Sequence, residues 1–383
     1  MSNNLTKCNK CGLPETYETI EFNSDGVCNI CIQQNYKNEK IDWTSRKLML
    51  NDLIEEYRGK YAYDCIVPFS GGKDSTFTLY YLMKEYNIKP LVVQFNHGFM
   101  RPKLLENNER TFKKLGVDVI SFTPNWKVVK KVMKESLIRK GDFCWHCHTG
   151  IFSYPMHLAL KFNVPLVLWG EPSSEYTAYY DYHDDELEEV DETRFNRFVN
   201  LGITAEDMKG MIGDGLDPRD LDPFIYPPTR DLKKLRYRSV CLGSFIPWNV
   251  RSQSKLIMDK LGWEGDQVEG IPEELYPYEK IECAMQGARD YIKYQKRGYG
   301  RVTQMTAIDI RNNLITREKA DEYIEKYEGK KPPSLELLLE YLNLSEDEFN
   351  KVVEKTAVPP FKPNFDNLSM SERTHDFEKW YRE

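Results

Sequence analysis

Between Asp64 and Tyr86 a short apolar run, Asp64-Cys65-Ile66-Val67-Pro68-Phe69, passes through Ser70-Gly71-Gly72-Lys73-Asp74-Ser75 into a helical pattern from Thr76. A strand that breaks at two glycines and restarts at once as a helix leaves few geometries open to the chain. The amides of such a turn point inward, the helix N-terminus adds positive potential, and the absent Cβ atoms let a ligand approach, so the segment favours a phosphate group. Ser70 and Ser75 offer hydroxyl donors and Lys73 a charge. Asp74 would repel phosphates on its own, so its presence points to a bound Mg²⁺. The spacing differs from the G-x-x-x-x-G-K-S/T loop of kinases and GTPases.

The pattern around this turn alternates strands and helices. Leu91 to Phe95, Val117 to Ile120 and Pro165 to Trp169 read as strands, with a helix from about Lys103 to Lys114 and helices on both sides of Cys144. Such alternation predicts an α/β fold with a parallel sheet covered on both faces. An amphipathic helix from about Trp43, carrying Leu48, Leu50, Leu53, Ile54 and Tyr57, leads into it. Beyond about Glu279 the pattern is helical: Thr316 caps a helix that stops at Gly329, Ser345-x-x-Glu348 is a capping box, and Pro332-Pro333 and Pro359-Pro360 are breaks. The expected division is residues 1–40, 41–270 and 271–383, the last a helical C-terminal lobe. Residues 181–192 carry eight acidic side chains and read as a solvated, mobile insertion.

Nine cysteines in a chain whose polar start, Met1-Ser2-Asn3-Asn4, reads as lacking an export signal suggest metal ligands or buried thiols rather than disulfides. Cys8-x-x-Cys11 and Cys28-x-x-Cys31 have the spacing of a four-cysteine zinc ribbon. A segment of that size has too little core to fold without such a staple, and four thiolates leave no open position for catalysis, so a structural Zn²⁺ is expected. Cys144-Trp145-His146-Cys147 is a second pair.

A net charge of -7 argues against a surface built to wrap nucleic acid. No apolar run approaches the length of a membrane span, so the expected location is cytoplasmic with no membrane partner. The cluster Arg289, Lys293, Lys296, Arg297 and Arg301, set against one acidic residue between Gln286 and Thr303, suits a small anionic substrate in so acidic a chain. The bland alternative is a solvated helix face.

Ser70 to Ser75 resembles the S-G-G-x-D-S loop of the PP-loop ATP pyrophosphatases. The resemblance implies an adenine nucleotide alpha hydrolase-like domain, with ATP and Mg²⁺ as cofactors. Members adenylate a carbonyl or carboxyl oxygen, release pyrophosphate, and let a nitrogen or sulfur nucleophile displace AMP. It places nucleotide contacts at Phe95, Asn96 and His97 after the second strand and at Gly170 after a later one, with Glu171 near the phosphates or Mg²⁺. Lys73, Asp74 and Glu171 are then the expected catalytic residues.

Ala288 to Thr303, Asp309-Ile310-Arg311, Thr316 to Ala320 and Leu242 to Trp248 resemble the N-acetyl sugar amidotransferases of bacterial surface-glycan pathways. This resemblance implies conversion of a sugar acetamido group to an acetamidino group on a nucleotide-linked N-acetyl sugar, on the way to an O-antigen or a pseudaminic- or legionaminic-type sugar. Ammonia would come from a separate glutaminase-cyclase pair like that of histidine biosynthesis. Ser239-Val240-Cys241-Leu242-Gly243 looks like a glutaminase nucleophile elbow but lacks its first Gly, and Ser2 excludes an N-terminal cysteine glutaminase, so Cys241 reads as a core residue. The Cys144/Cys147 pair is similar to that of tRNA thiolases, where a third cysteine completes an iron-sulfur site. Cys241 or Cys283 could be that third ligand here. Alternatively the pair binds a second zinc with His146 or His148, or holds no metal. The rival activity is therefore sulfur insertion into tRNA or a small molecule.

Overall fold

The computed structural model describes residues 5–177 and 187–365. Its first segment is a four-cysteine ribbon closed by antiparallel bridges between Lys7 and Pro14 and between Phe22 and Cys28. Helices α1 (Asn29–Glu39) and α2 (Trp43–Tyr57) follow, the latter capped by Asp42, whose carboxylate accepts from the amides of Thr44 and Ser45. Leu50, Leu53, Ile54 and Tyr57 are buried as their helical spacing requires, whereas Leu48 falls on the opposite face of the helix and is exposed.

Five parallel strands form the sheet: β1 (Cys65–Pro68), β2 (Pro90–Phe95), β3 (Asp118–Phe122), β4 (Leu166–Trp169) and β5 (Arg238–Cys241). Their order is β3-β2-β1-β4-β5. The intervening helices are α3 (Lys73–Tyr86), α4 (Pro102–Leu115), α5 (Trp126–Lys140), α6 (Trp145–Phe162), the single turn α7 (Glu192–Arg194), α8 (Ala205–Ile212) and α9 (Thr229–Leu235). Successive side chains of the central strands enter opposite cores, as a two-residue period dictates. Cys65, Val67, Val92, Leu166 and Leu168 face the layer that holds α3 and α10 (Val250–Leu261), whereas Ile66, Leu91, Val93 and Val167 face α6. Each such aliphatic side chain contributes about 1.5–3 kcal/mol by leaving water.

β5 lies outside the strands expected from sequence, because Arg238-Ser-Val-Cys241 has no apolar run; its pairing with β4 makes it a strand. The acidic stretch also departs from expectation where it is described. Glu188 is buried, accepts from the Ser173 amide and pairs with Arg194, and Glu189 bridges to Val240. Residues 187–192 are therefore packed against the sheet edge by an internal cation, while 181–186 lie outside the described residues.

The C-terminal helices are α11 (Gln286–Arg297), α12 (Arg301–Arg311), α13 (Arg317–Tyr327), α14 (Pro333–Leu342) and α15 (Glu346–Lys355). Thr316 and Ser345 cap α13 and α15, the latter with a complete capping box. α14 and α15 share a core with α5 and α11, while α12 packs Ala307 on the ribbon. These contacts bring α11 and α12 to the carboxyl edge of the sheet.

Candidate active site

In strand order 3-2-1-4-5 the direction of winding reverses between β1 and β4, and ligands bind where the carboxyl ends of such strands diverge. The loop after β1 is Ser70 to Gly72, and that after β4 begins at Gly170-Glu171. Gly71 has φ +89°, and a Cβ there would lie 2.1 Å from Asn108 Oδ1. At Gly72 a Cβ would lie 1.8 Å from Glu282 Oε1, so a side chain there would displace that carboxylate, whereas at Gly71 the left-handed backbone itself favours glycine. Ser75 Oγ accepts from the Gly71 amide at 3.1 Å, and Ser70 Oγ accepts from the Gly72 amide at 3.3 Å. Trp263 pins the turn from outside, donating its indole N–H to the Gly71 carbonyl at 3.1 Å.

Asp74 accepts from Lys73 Nζ at 2.9 Å through one oxygen, and its other oxygen is buried without a hydrogen-bond partner. Glu171 Oε1 is likewise buried and unpartnered. Burial, then the Asp74 charge, push the Glu171 carboxyl well above the usual carboxylate range. Two hard oxygen donors left unpaired beside an amide-lined turn fit a divalent cation such as Mg²⁺.

Two cavities meet at Glu171. The smaller, about 160 Å³, runs over the loop from Ser70 and Ser75 to an apolar wall of Phe95, Phe152 and Trp169. Phe152 and Trp169 stack with centroids 4.8 Å apart. The larger, about 400 Å³, is lined by seven cationic side chains, Lys140, Lys280, Arg289, Lys293, Lys296, Arg297 and Arg301, against four carboxylates, Glu18, Asp142, Glu171 and Asp290. That balance favours an anionic occupant. All five basic residues singled out from sequence line it, four from α11 and Arg301 from α12, so they form the wall of a cavity and not a solvated surface.

Those five differ in freedom. Arg297 donates to the Thr16 carbonyl at 2.7 Å, and Lys296 Nζ donates to the Lys140 carbonyl at 2.7 Å. Arg289 lies 3.9 Å from Asp142. Lys293 Nζ sits 4.8 Å from the Tyr299 ring centroid and 5.9 Å from that of Tyr17, and burial lowers its pKa to about 7. Arg301 pairs with Asp290 at 3.4 Å and with Glu279 at 3.7 Å.

Glu279 lines neither cavity but links the loop lysine to the cavity arginine. It is fully buried and lies 3.0 Å from Lys73 Nζ, so one carboxylate serves the loop lysine and the cavity arginine. Burial would raise its pKa, but Lys73, Lys280 and Arg301 together hold it down to about 2. Lys73 in turn stays well above its ordinary value, the pull of Asp74 and Glu279 outweighing burial. Glu279 and Trp263 carry no local sequence signal: only the fold brings them to the loop.

Phe95 and Gly170 line the smaller cavity, but Asn96 and His97 line neither. Asn96 donates to Thr123 Oγ1 at 3.1 Å. His97 is buried, its Nδ1 accepts from the Phe99 amide at 3.3 Å, and burial with the neighbouring His146 lowers its pKa to about 4.

The cysteines divide into three groups. Cys8, Cys11, Cys28 and Cys31 are buried with their sulfurs within 4.8 Å of one another, and two of the separations are 3.7 and 4.0 Å. A tetrahedron with metal–sulfur bonds of about 2.3 Å has an edge of about 3.8 Å, so the donor set fits a tetrathiolate metal ion. Among the described residues this is the one group of three or more His, Cys, Asp or Glu ligands at such spacing. Cys144, Cys147 and Cys283 share a core without closing to that distance, and burial raises all three thiols. Cys241 belongs to the opposite core, 3.9 Å from Glu188 and Arg194, which removes it as a partner for Cys144 and Cys147 and leaves it a core residue.

Fold and loop together define a PP-loop α/β protein with a four-cysteine group suited to a metal ion and C-terminal helices. Residues 275–379 match the family model for the C-terminal domain of WbpG-like LPS biosynthesis proteins, which bears out the resemblance to the N-acetyl sugar amidotransferases. The chain is also 28% identical over 148 residues to the uncharacterized protein MJ1599 of Methanocaldococcus jannaschii, a match covering 37% of this chain and half the length of that relative. Among solved structures it is similar to the U34-tRNA thiolase NcsA of Methanococcus maripaludis with its 4Fe–4S cluster, at 12% identity, a TM-score of 0.32 and 89% coverage of each chain. Among the described residues no helix is long and apolar enough to cross a membrane.

Proposed function

We propose that this protein is an ATP-dependent amidotransferase acting on a nucleotide-linked N-acetyl sugar in surface-glycan biosynthesis. The observation that carries the reading is the pair of cavities meeting at Glu171, one suited to a nucleotide over the loop, the other basic and large enough for an anionic acceptor. ATP lies with its phosphates on Ser70 to Ser75 and its base toward Phe95 and Trp169, and Asp74 and Glu171 would hold Mg²⁺, which supplies charge neutralisation to the departing pyrophosphate. Lys73, kept fully protonated by its two carboxylates, faces the developing phosphoryl charge.

The acetamido oxygen of the acceptor attacks the α-phosphate, giving an O-adenylyl imidate and pyrophosphate. Ammonia adds to the imidate carbon, AMP leaves with the carbon–oxygen bond, and one proton passes to solvent or a base, leaving an acetamidino group. Arg289, Lys293, Lys296, Arg297 and Arg301 hold the acceptor's anionic part. Zinc in the ribbon is structural, the setting is the cytoplasm, and the ammonia comes from a separate glutaminase-cyclase pair.

Sulfur insertion is the second reading, favoured by Cys283 packing in the same core as Cys144 and Cys147. Mass spectrometry of candidate nucleotide sugars incubated with protein, ATP, Mg²⁺ and ammonium separates the two. Exchange of oxygen for NH lowers the product mass slightly, whereas exchange for sulfur raises it. Pyrophosphate release without either product, across UDP- and CMP-linked N-acetyl sugars, would sink the amidotransferase reading.

A further inference from the structure

Asp309-Ile310-Arg311 closes α12 on the side that meets the ribbon. Ala307, one turn before Arg311 on the same face, packs in the apolar cluster that contains all four ribbon cysteines. Arg311 is 4% exposed, and its Nε and Nη1 have no hydrogen-bond partner. Asp309 is committed elsewhere, pairing with Arg251 and accepting from the Tyr276 hydroxyl at 2.7 Å. The ionisable groups that act most strongly on the guanidinium are the Cys11 and Cys31 thiols, then the Tyr17 hydroxyl and the Cys28 thiol, all of the ribbon against which α12 packs. A buried guanidinium with no compensating charge is strongly unfavourable. Four thiolates on a divalent ion form a doubly negative centre, which is the counter-charge this arginine lacks.

The same ribbon builds a wall of the basic cavity. Glu18 lines it, Tyr17 donates its hydroxyl to the Tyr176 carbonyl at 2.7 Å and accepts from Gln304 at 3.1 Å, and the Thr16 carbonyl holds Arg297. Tyr176, Gln304 and Arg297 all line the cavity. We propose that Arg311 is the buried counter-cation of the tetrathiolate metal centre, and that this centre is a strut of the basic cavity, setting affinity for the anionic acceptor but not for ATP. The first half stands on the ribbon alone; the second rests on the acceptor-site reading of the cavity.

The test uses the full chain loaded with zinc, in wild type, Arg311→Met, Arg311→Gln and Arg311→Lys. Zinc release to a chromogenic chelator should be about tenfold faster or more in the two uncharged variants, as for other groups that support metal ligands, and near wild type in Arg311→Lys. Lysine grouping with methionine and glutamine would mean that shape rather than charge matters, and equal release in all four proteins would mean that Arg311 does not serve the metal; either overturns the counter-cation. UDP, as a probe of the basic cavity, should bind about fivefold or more weakly to Arg311→Gln while ATP affinity is unchanged. Unchanged UDP affinity despite faster zinc loss, or an equal loss of ATP affinity, overturns the strut. Wild-type protein that binds no UDP overturns the acceptor-site reading and the strut with it, and the zinc measurement still decides the role of Arg311.

Discussion

Replacing Glu279 with Gln removes the charge shared by the loop and the cavity while keeping the shape of the side chain. The carboxyl is fully buried, and its neighbours hold its pKa at about 2 against an ordinary 4.5. A depression of that size corresponds to about 3 kcal/mol of stability at neutral pH. Removing one member of a buried ion pair costs about 3–5 kcal/mol, and here the loss falls at the low end because Lys73 keeps Asp74 and Arg301 keeps Asp290. Because the folded pKa lies below the unfolded one, the contribution is fully present above about pH 4.5 and drains as the pH falls toward 2, by about 1.4 kcal/mol per unit. Urea unfolding of wild type and Glu279→Gln should therefore show a gap of about 3 kcal/mol at neutral pH that narrows to about 2 kcal/mol near pH 3.5. Turnover should fall more than ATP affinity, since the variant adds net positive charge near the phosphates but releases Lys73 from its position. A gap that is the same at both pH values, or below about 1 kcal/mol at neutral pH, would refute the shared-counter-ion account.

Asp74→Ala should abolish pyrophosphate release with little change in unfolding midpoint, because the side chain lies in the first turn of α3 at the cavity, one of its oxygens is unpaired, and Lys73 keeps Glu279 as its counter-charge; near-normal turnover in the folded variant would contradict its assignment. Trp263→Phe leaves the Gly71 carbonyl without its donor and should cost about 1–2 kcal/mol, with a several-fold higher KM for ATP measured by steady-state kinetics. Lys293 has a folded pKa of about 7, below its ordinary 10.5, so the charged form opposes folding. Lys293→Met should be more stable than wild type below about pH 7, the gain shrinking as the pH rises toward 10.5; a gain that grows with pH across that range in urea titrations would contradict this.

What could be read in the chain is what depends on local geometry. Gly71 and Gly72 announce the turn because the chain reverses there through a left-handed residue, Gly71 at φ +89°, that glycine adopts freely, and the short apolar runs before and after it announce a sheet because buried parallel strands need them. The two Cys-x-x-Cys turns pair because each presents its thiols on one side, and Thr316 and Ser345 cap helices through bonds that span three residues. The cationic residues of α11 share a face by helical period alone. That this face lines a cavity beside the loop, and is not left in water, depends on α14 and α15 holding α11 against α5.

The rest depends on pairings between distant parts of the chain, which no local pattern records. Arg238 to Cys241 is a strand only because β4 offers it an edge. Glu188, in an acidic run that reads as solvated, is buried because Arg194 and the Ser173 amide satisfy it. His97 follows a strand where a nucleotide contact is expected, yet its ring turns inward to the Phe99 amide. Lys73 and Glu279, Gly71 and Trp263, and Arg311 and the ribbon thiols are each separated by most of a domain in sequence and brought together by packing. Backbone period and turn sterics act over a few residues and so are written in the sequence. The energy of a buried charge is set by whatever lies within a few ångströms in space, so the tertiary structure alone decided which carboxylate holds the loop lysine and which indole holds the Gly71 carbonyl.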